Sequence, residues 1–274
     1  MRRLLAGLLA AVVLLGLAQP AAAQSAPYPD SMAATGDSIT RAFNSGAIPW
    51  TEAPWNSWST GSSGFVWSHY RRILAVNPAI HLRNFNDARS GAKMAELSRQ
   101  VALVNLQHVQ YVTVLMGAND ACASSEAAMT PVAEFRSQFE AALADLAAGS
   151  PQTYVYVVSI PDVYRLWLIL HNDPQARLAW RLTGFCKSML ANAGSTAPAD
   201  KARRQRVRQR IIDYNAVLAD GCAIYARCHF DANAVFDYAF QRKDVSKVDY
   251  FHPSREGQRV LAAVTWDAGF DFVP

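Results

Sequence analysis

Met32-Ala33-Ala34-Thr35-Gly36-Asp37-Ser38-Ile39-Thr40 is a short apolar run that breaks at a Gly-Asp turn and delivers a serine. Residues 32–35 read as a strand, and the turn places Ser38 just past its end. Taken alone, Asp37 or Ser38 is equally readable as the N-cap of a following helix. The same arrangement recurs downstream, and the recurrence decides the fold. Residues 80–86 read as a strand and run into Asn86-Asp87-Ala88-Arg89-Ser90-Gly91-Ala92-Lys93. Residues 111–116 are apolar except for Thr113, the pattern of a buried strand, and run into Met116-Gly117-Ala118-Asn119-Asp120. Residues 154–160 and 228–230 supply two further strands.

Helical patterns fill the intervals: residues 65–75, residues 93–104 with Met94, Leu97, Val101 and Val104 on one side, and a helix from Thr130-Pro131 to about residue 148. Residues 201–218 carry Val207, Ile211, Tyr214 and Leu218 on one stripe, and residues 255–266 close the chain as a helix. This alternation predicts an α/β fold with a parallel sheet covered on both faces. In such sheets functional groups gather on loops at the carboxyl ends of the strands.

Candidate catalytic residues fall in those loops. Ser38 follows the first strand. Gly91, which lets backbone approach a ligand and offers its N–H, follows the second. Asn119, whose amide can point at developing negative charge, follows the third. Near the C-terminus stands Asp249-Tyr250-Phe251-His252-Pro253-Ser254. A carboxylate three residues before an imidazole can orient the ring and stabilise its charged form. His69, His81, His108, His171 and His229 lack that setting and read as surface or satisfied core residues. A serine nucleophile needs a base, an orienter and an oxyanion hole. Ser38, His252 and Asp249 fill the first three roles. The Ser38 N–H, the Gly91 N–H and the Asn119 amide would form the hole.

These four blocks resemble the SGNH, or GDSL, hydrolase superfamily, whose name letters fall on Ser38, Gly91, Asn119 and His252. They occur in family order over roughly residues 32–266, and no G-x-S-x-G elbow is present. Ser57-Trp58-Ser59-Thr60-Gly61, Ser90-Gly91-Ala92-Lys93, Asn119-Asp120-Ala121-Cys122 and Phe251-His252 are similar to the phospholipase-B-like branch. Ala118 departs from the family pattern, standing where glycine is frequent. The resemblance implies a three-layer α/β/α sandwich with a flavodoxin-like sheet, no metal or organic cofactor, and two-step acyl transfer through an acyl-enzyme.

The N-terminus addresses location. Arg2 and Arg3 precede an apolar run over residues 4–17, and Ala21-Ala22-Ala23 follows. This is the form of a secretory signal peptide cleaved after Ala23, leaving a single domain over residues 24–274. As a membrane anchor the run is short: its 14 residues rise about 21 Å against a hydrocarbon core of about 30 Å. The chain has 274 residues and net charge +4, and removing Arg2 and Arg3 leaves about +2, from 4 − 2. That excludes a polyanion-binding surface, so no nucleic-acid partner is expected. In an oxidising compartment the four cysteines favour pairing, and three connectivities are open. Cys222 and Cys228 are close in sequence, which leaves Cys122 with Cys186. Zinc is the rival reading, but the spacings match no common site.

Two segments bear on the substrate. Residues 43–64 hold Trp50, Trp55 and Trp58, and residues 161–200 hold Tyr164, Leu166, Trp167, Leu168, Leu170 and Trp180. Either can wall the cleft or simply pack on the core. Trp58, Tyr250 and Trp167 are the expected substrate contacts. The basic run Lys201, Arg203, Arg204, Arg206, Arg208 and Arg210 reads as a solvated helix face, with attraction to anionic surfaces as the functional alternative. The expected protein is a secreted, monomeric serine esterase or lipase acting on small-molecule, lipid or polymer esters, with transient lipid-surface contact. The apolar segments tilt the expectation toward larger acyl or aromatic esters. A phospholipase B-type activity, a carbohydrate O-deacetylase and an inactive binding module on the same fold are the alternatives.

Overall fold

The computed structural model describes residues 26–273. The expected leader, residues 1–23, and its cleavage site lie outside them. The chain enters through β1 (Ala26–Pro27) and β2 (Met32–Gly36), then passes α1 (His69–Val76), β3 (Asn84–Asn86) and α2 (Leu97–Gln107). Next come β4 (Tyr111–Leu115), α3 (Ala118–Ala121), α4 (Val132–Gly149) and β5 (Tyr154–Val157). The 161–200 segment folds as α5 (Val163–Leu170), α6 (Pro174–Thr183) and α7 (Lys187–Leu190). The chain closes with α8 (Pro198–Ala223), β6 (Cys228–Phe230), α9 (Ala234–Asp237), α10 (Arg255–Asp267) and β7 (Phe272–Val273), which pairs with β1.

The main sheet has order β3-β2-β4-β5-β6 and every pairing is parallel. Strand alternation sorts its side chains. Val112 and Val114 join Val101, Phe139 and Ile211 in the core under α2, α4 and α8. Tyr111 and Leu115 join Tyr70, Ile73 and Leu261 in the core under α1 and α10. Thr113, the polar residue of the apolar run, is buried and bonds to the Ser59 hydroxyl at 2.7 Å. The expected α/β/α architecture is present.

Several elements start or stop where local chemistry dictates. The helix expected from residue 65 begins at His69, because the Ser68 side chain caps it by accepting from the Arg71 N–H. The strand expected over residues 80–86 shrinks to Asn84–Asn86. Pro78–Ile80 is a 3-10 turn, and Leu82 sits at φ +61°. The strand expected to reach residue 160 stops at Val157, after which buried side chains take over the backbone: the Ile160 N–H donates to Asn215 Oδ1 at 2.8 Å.

Chain order reverses at β2: β3 lies on one side of it and β4 on the other. At such a switch point the loops leaving the strands part and open a crevice. Ser38 stands two residues past the end of β2, in that crevice.

Both cysteine pairs form disulfides, Cys122–Cys186 and Cys222–Cys228. Oxidised sulfurs are poor metal ligands, so the zinc reading loses its donors. Cys122–Cys186 ties the end of the Asn119 segment to the start of α7.

Candidate active site

Gly36 lets the chain turn sharply enough to present Ser38. Its φ is +146°, and a Cβ there would meet the Leu115 carbonyl oxygen at 2.4 Å. Asp37 then builds the turn: its Oδ1 accepts from the Ile39 N–H at 2.8 Å and its carbonyl from the Arg41 N–H at 3.0 Å. The turn does not grow into a helix. The Gln100 side chain fixes it from below, accepting from the Gly36 N–H and donating to the Gly36 carbonyl.

The other half of the site is a loop closed on itself. Val245 bridges Pro253, and the Ser246 N–H donates to the His252 carbonyl at 2.8 Å. Within it, Asp249 Oδ1 accepts from the N–H groups of Phe251 and His252 at 2.9 and 3.1 Å. Asp249 Oδ2 lies 2.6 Å from His252 Nδ1, and His252 Nε2 lies 2.9 Å from Ser38 Oγ. The buried carboxylate assigns the ring proton to Nδ1, which leaves Nε2 as acceptor for the serine hydroxyl. Such a chain can draw a proton from Ser38 as its oxygen attacks. Burial pushes the Asp249 carboxyl up. The His252 hydrogen bond and charge, the Asn44 amide and the Phe251 N–H outweigh it and leave the group below its ordinary value. Asp249 is therefore held as the anion an imidazolium requires.

The Asn119 amide nitrogen donates to the Ala92 carbonyl at 3.0 Å and lies 3.4 Å from Asp37 Oδ2. The first contact seats Asn119 beside the Gly91 segment. The second is long, so that proton is weakly held and can turn to an incoming oxyanion. Gly91 takes φ +83°, with open space where a Cβ would stand. Asp120 locks this region: its carboxylate accepts from the Met94 N–H and the Thr130 hydroxyl. Asp37 is fully buried, and that burial raises its pKa to about 6 against the Ile39 N–H and the nearby His252. Ser38, Asn119 and His252, three of the expected site residues, thus line one crevice with Asp37. Gly91 stands beside Asn119 through Ala92.

A cavity of about 90 Å³ opens from Ser38, Asn119 and His252, with Val163, Leu166 and Ile169 of α5 and Phe240, Val245 and Phe251 among its walls. The 161–200 segment therefore supplies an apolar wall. The expected aromatic contacts do not. Trp58 is wholly buried: its backbone N–H donates to Gln258, its indole N–H donates to the Thr40 hydroxyl, and its ring meets His69 edge-on. Trp167 is buried under Arg204, whose guanidinium lies 4.2 Å from the ring centroid. Tyr250 turns its hydroxyl to Gln175 at 2.7 Å, away from the cavity. The three rings expected at the substrate followed core and helix-packing demands instead, and the crevice walls are aliphatic side chains with Phe240 and Phe251.

The basic run of α8 is largely spent within the molecule. Arg203 pairs with Asp200, Arg206 with Glu126 and Arg208 with Asp162, while Arg204 is buried and donates to the Ser195 carbonyl.

Three contributors carry no motif. Asn44, six residues past Ser38, donates its amide to Asp249 Oδ2 at 2.6 Å. Phe43 and Phe185 pack on the His252 ring, at 4.9 and 5.5 Å between centroids. The available signal was position: both Phe43 and Asn44 lie in the irregular stretch that follows the nucleophile.

The model of the GDSL-like Lipase/Acylhydrolase family matches residues 34–260. No curated protein matches the chain. Among solved structures it is similar to phospholipase A1 from Streptomyces albidoflavus NA297, with TM-score 0.50 and 16% identity over 87% of this chain and 99% of that one. It is also similar to a lipase from a goat rumen metagenome, with TM-score 0.51 and 14% identity over 88% and 97%. A family 3 carbohydrate esterase from Clostridium thermocellum gives TM-score 0.50 and 13% identity over 86% and 93%. At these identities the likeness is one of fold.

Proposed function

The chain belongs to the GDSL-like lipase/acylhydrolase family, and from that premise we propose that it is a serine esterase cleaving carboxylic esters. The observation that carries this reading is the continuous chain Ser38 Oγ–His252 Nε2 at 2.9 Å and His252 Nδ1–Asp249 Oδ2 at 2.6 Å, beside the Asn119 amide. Ser38 attacks the ester carbonyl while His252 takes its proton, and Asp249 stabilises the imidazolium. The carbonyl oxygen, now negative, rests against the Ser38 and Gly91 N–H groups and the Asn119 amide. His252 returns the proton to the departing alcohol, leaving Ser38 acylated. Water, deprotonated by His252, repeats the attack and releases the acid. No step calls for a metal or an organic cofactor.

The acyl group lies against Val163, Leu166 and Ile169. An apolar cavity of about 150 Å³ holds benzene, so 90 Å³ encloses only the first few carbons of a chain. A longer chain would continue through the open mouth. This moves the reading from large acyl or aromatic esters toward short and medium acyl groups. Phospholipase B-type hydrolysis and carbohydrate O-deacetylation are the alternatives on the same chemistry.

The test is a chain-length series of chromogenic esters beside phosphatidylcholine, with Ser38→Ala as blank. The proposal expects kcat/KM to rise from acetyl through butyryl to a plateau. Activity confined to acetyl groups, without fatty acid release, would instead indicate a deacetylase. We further propose that the chain is made with a leader removed after Ala23, and that residues 24–274 form one secreted, monomeric domain. The two disulfides support an extracellular setting. Among the described residues no helix is long and apolar enough to cross a membrane.

A further inference from the structure

Between Asn44 and Glu52 the chain projects a tip whose residues, Ala47-Ile48-Pro49-Trp50-Thr51, are all exposed. Ile48 is 66% exposed and Trp50 53%. Trp50 also sits at φ +63°, backbone that a bulky side chain adopts at a cost. A soluble protein gains nothing in water by straining its backbone to display an indole. The conformation is enforced from below: Asn44 Oδ1 accepts from the Trp50 N–H at 2.6 Å, and the Asn44 N–H donates to the Thr51 carbonyl at 2.9 Å. Trp55, 52% exposed, shares a groove with Ala47 at the root of the tip. Residues 42–51 contain no charge.

The root of this tip is bonded to the loop that carries Asp249 and His252. The same Asn44 side chain donates to Asp249 Oδ2, its carbonyl accepts from the Ser246 hydroxyl at 2.8 Å, and Phe43 packs on His252. Whatever seats the tip is therefore tied to the loop that carries His252, one wall of the catalytic crevice.

We propose that the 47–51 tip is an interfacial anchor that inserts into an uncharged or zwitterionic lipid surface and holds the mouth of the crevice against it. Two exposed side chains bury far less than the ~800 Å² per partner that a stable protein interface needs. A lipid surface needs no shape match. It takes aliphatic groups such as Ile48 and Pro49 below the headgroups and Trp at headgroup level. The absence of charge on the tip, with the α8 arginines engaged elsewhere, makes electrostatic attraction unnecessary. The shallow acyl cavity fits the same picture, because the remainder of a long chain would stay in the lipid. The catalytic consequence rests on the esterase reading; the binding does not.

The test separates the two. Ser38→Ala protein is sedimented with phosphatidylcholine vesicles and compared with Ser38→Ala/Ile48→Asp. The anchor predicts a partition coefficient about tenfold lower for the double variant, and no loss of single-variant binding between low and high salt. In the active chain, Ile48→Asp leaves kcat/KM on a water-soluble acetyl ester unchanged and lowers the rate on an emulsified triacylglycerol by a similar factor. Equal vesicle binding with and without Ile48→Asp would overturn the proposal. So would equal loss on the soluble ester, which would mean that the substitution disturbs Asp249 through Asn44. Binding to insoluble polysaccharide in place of vesicles would overturn it too. A wild-type chain that binds vesicles but hydrolyses no ester would overturn the esterase reading and support the anchor.

Discussion

His69 makes the protein acid-labile by a calculable amount. It is wholly buried at the start of α1, with Nδ1 2.9 Å from the Tyr111 hydroxyl and Nε2 2.8 Å from Thr265 Oγ1. Both partners are neutral, so nothing there compensates a charged ring. Burial, with a smaller contribution from the Arg72 charge, lowers its pKa from 6.5 to about 3. The folded value lies below the unfolded one. The stability contributed by the neutral ring is therefore complete above pH 6.5 and is lost as the pH falls toward 3. At 1.36 kcal/mol per pH unit, the interval 6.5 − 3 is worth about 5 kcal/mol, of which about 2 kcal/mol is gone by pH 5.

The comparison is wild type against His69→Gln, which keeps hydrogen-bonding capacity and removes the titration. Urea unfolding at pH 7.5 should find the variant less stable. By pH 5 the gap should have narrowed by about 2 kcal/mol, or about 4–8 °C in Tm. Asp37 works in the opposite sense: raised from 3.8 to about 6, it favours the fold most below pH 3.8, and that contribution is lost as the pH rises through 6. It is present in both chains and cancels in the difference. A gap that stays constant from pH 7.5 to 5 would refute the assignment of a neutral, buried His69.

Asn119→Ala should leave the circular dichroism unchanged and lower kcat by about 10²–10³, the usual effect of losing one oxyanion donor. Asn44→Ala removes a buried hydrogen bond to a charged group and should lower kcat about tenfold with little change in KM, read from full kinetic curves on a soluble ester. Replacing Cys122 and Cys186 by alanine opens a loop spanning 64 residues and should cost about 4 kcal/mol in urea unfolding by the chain-entropy model.

The candidate catalytic residues were legible because each is announced locally. Ser38, Gly91 and Asn119 follow strand runs within two to five residues, and Asp249 and His252 share one short loop. Local chemistry also explains the disulfides: once six residues bring Cys222 and Cys228 together, little choice remains. What was illegible depends on which face of an element meets the core. Tryptophans at residues 50, 55 and 58 look alike in the sequence. The structure buries Trp58 against His69 and leaves Trp50 and Trp55 in water. Asn44 was invisible for a different reason. Its partner lies 205 residues away, and a lone asparagine in a loop carries no pattern. The arginines of α8 read as a solvated face because helical spacing cannot show that Glu126, Asp162 and the Ser195 carbonyl stand within reach.

The central claim is that Ser38 is the nucleophile, activated by His252. Its most direct test is intact-mass and peptide analysis after exposure to a fluorophosphonate. The account predicts one phosphonyl adduct, located on Ser38, absent from Ser38→Ala and formed far more slowly in His252→Ala. An adduct on another serine, or equal labelling of wild type and Ser38→Ala, would contradict it.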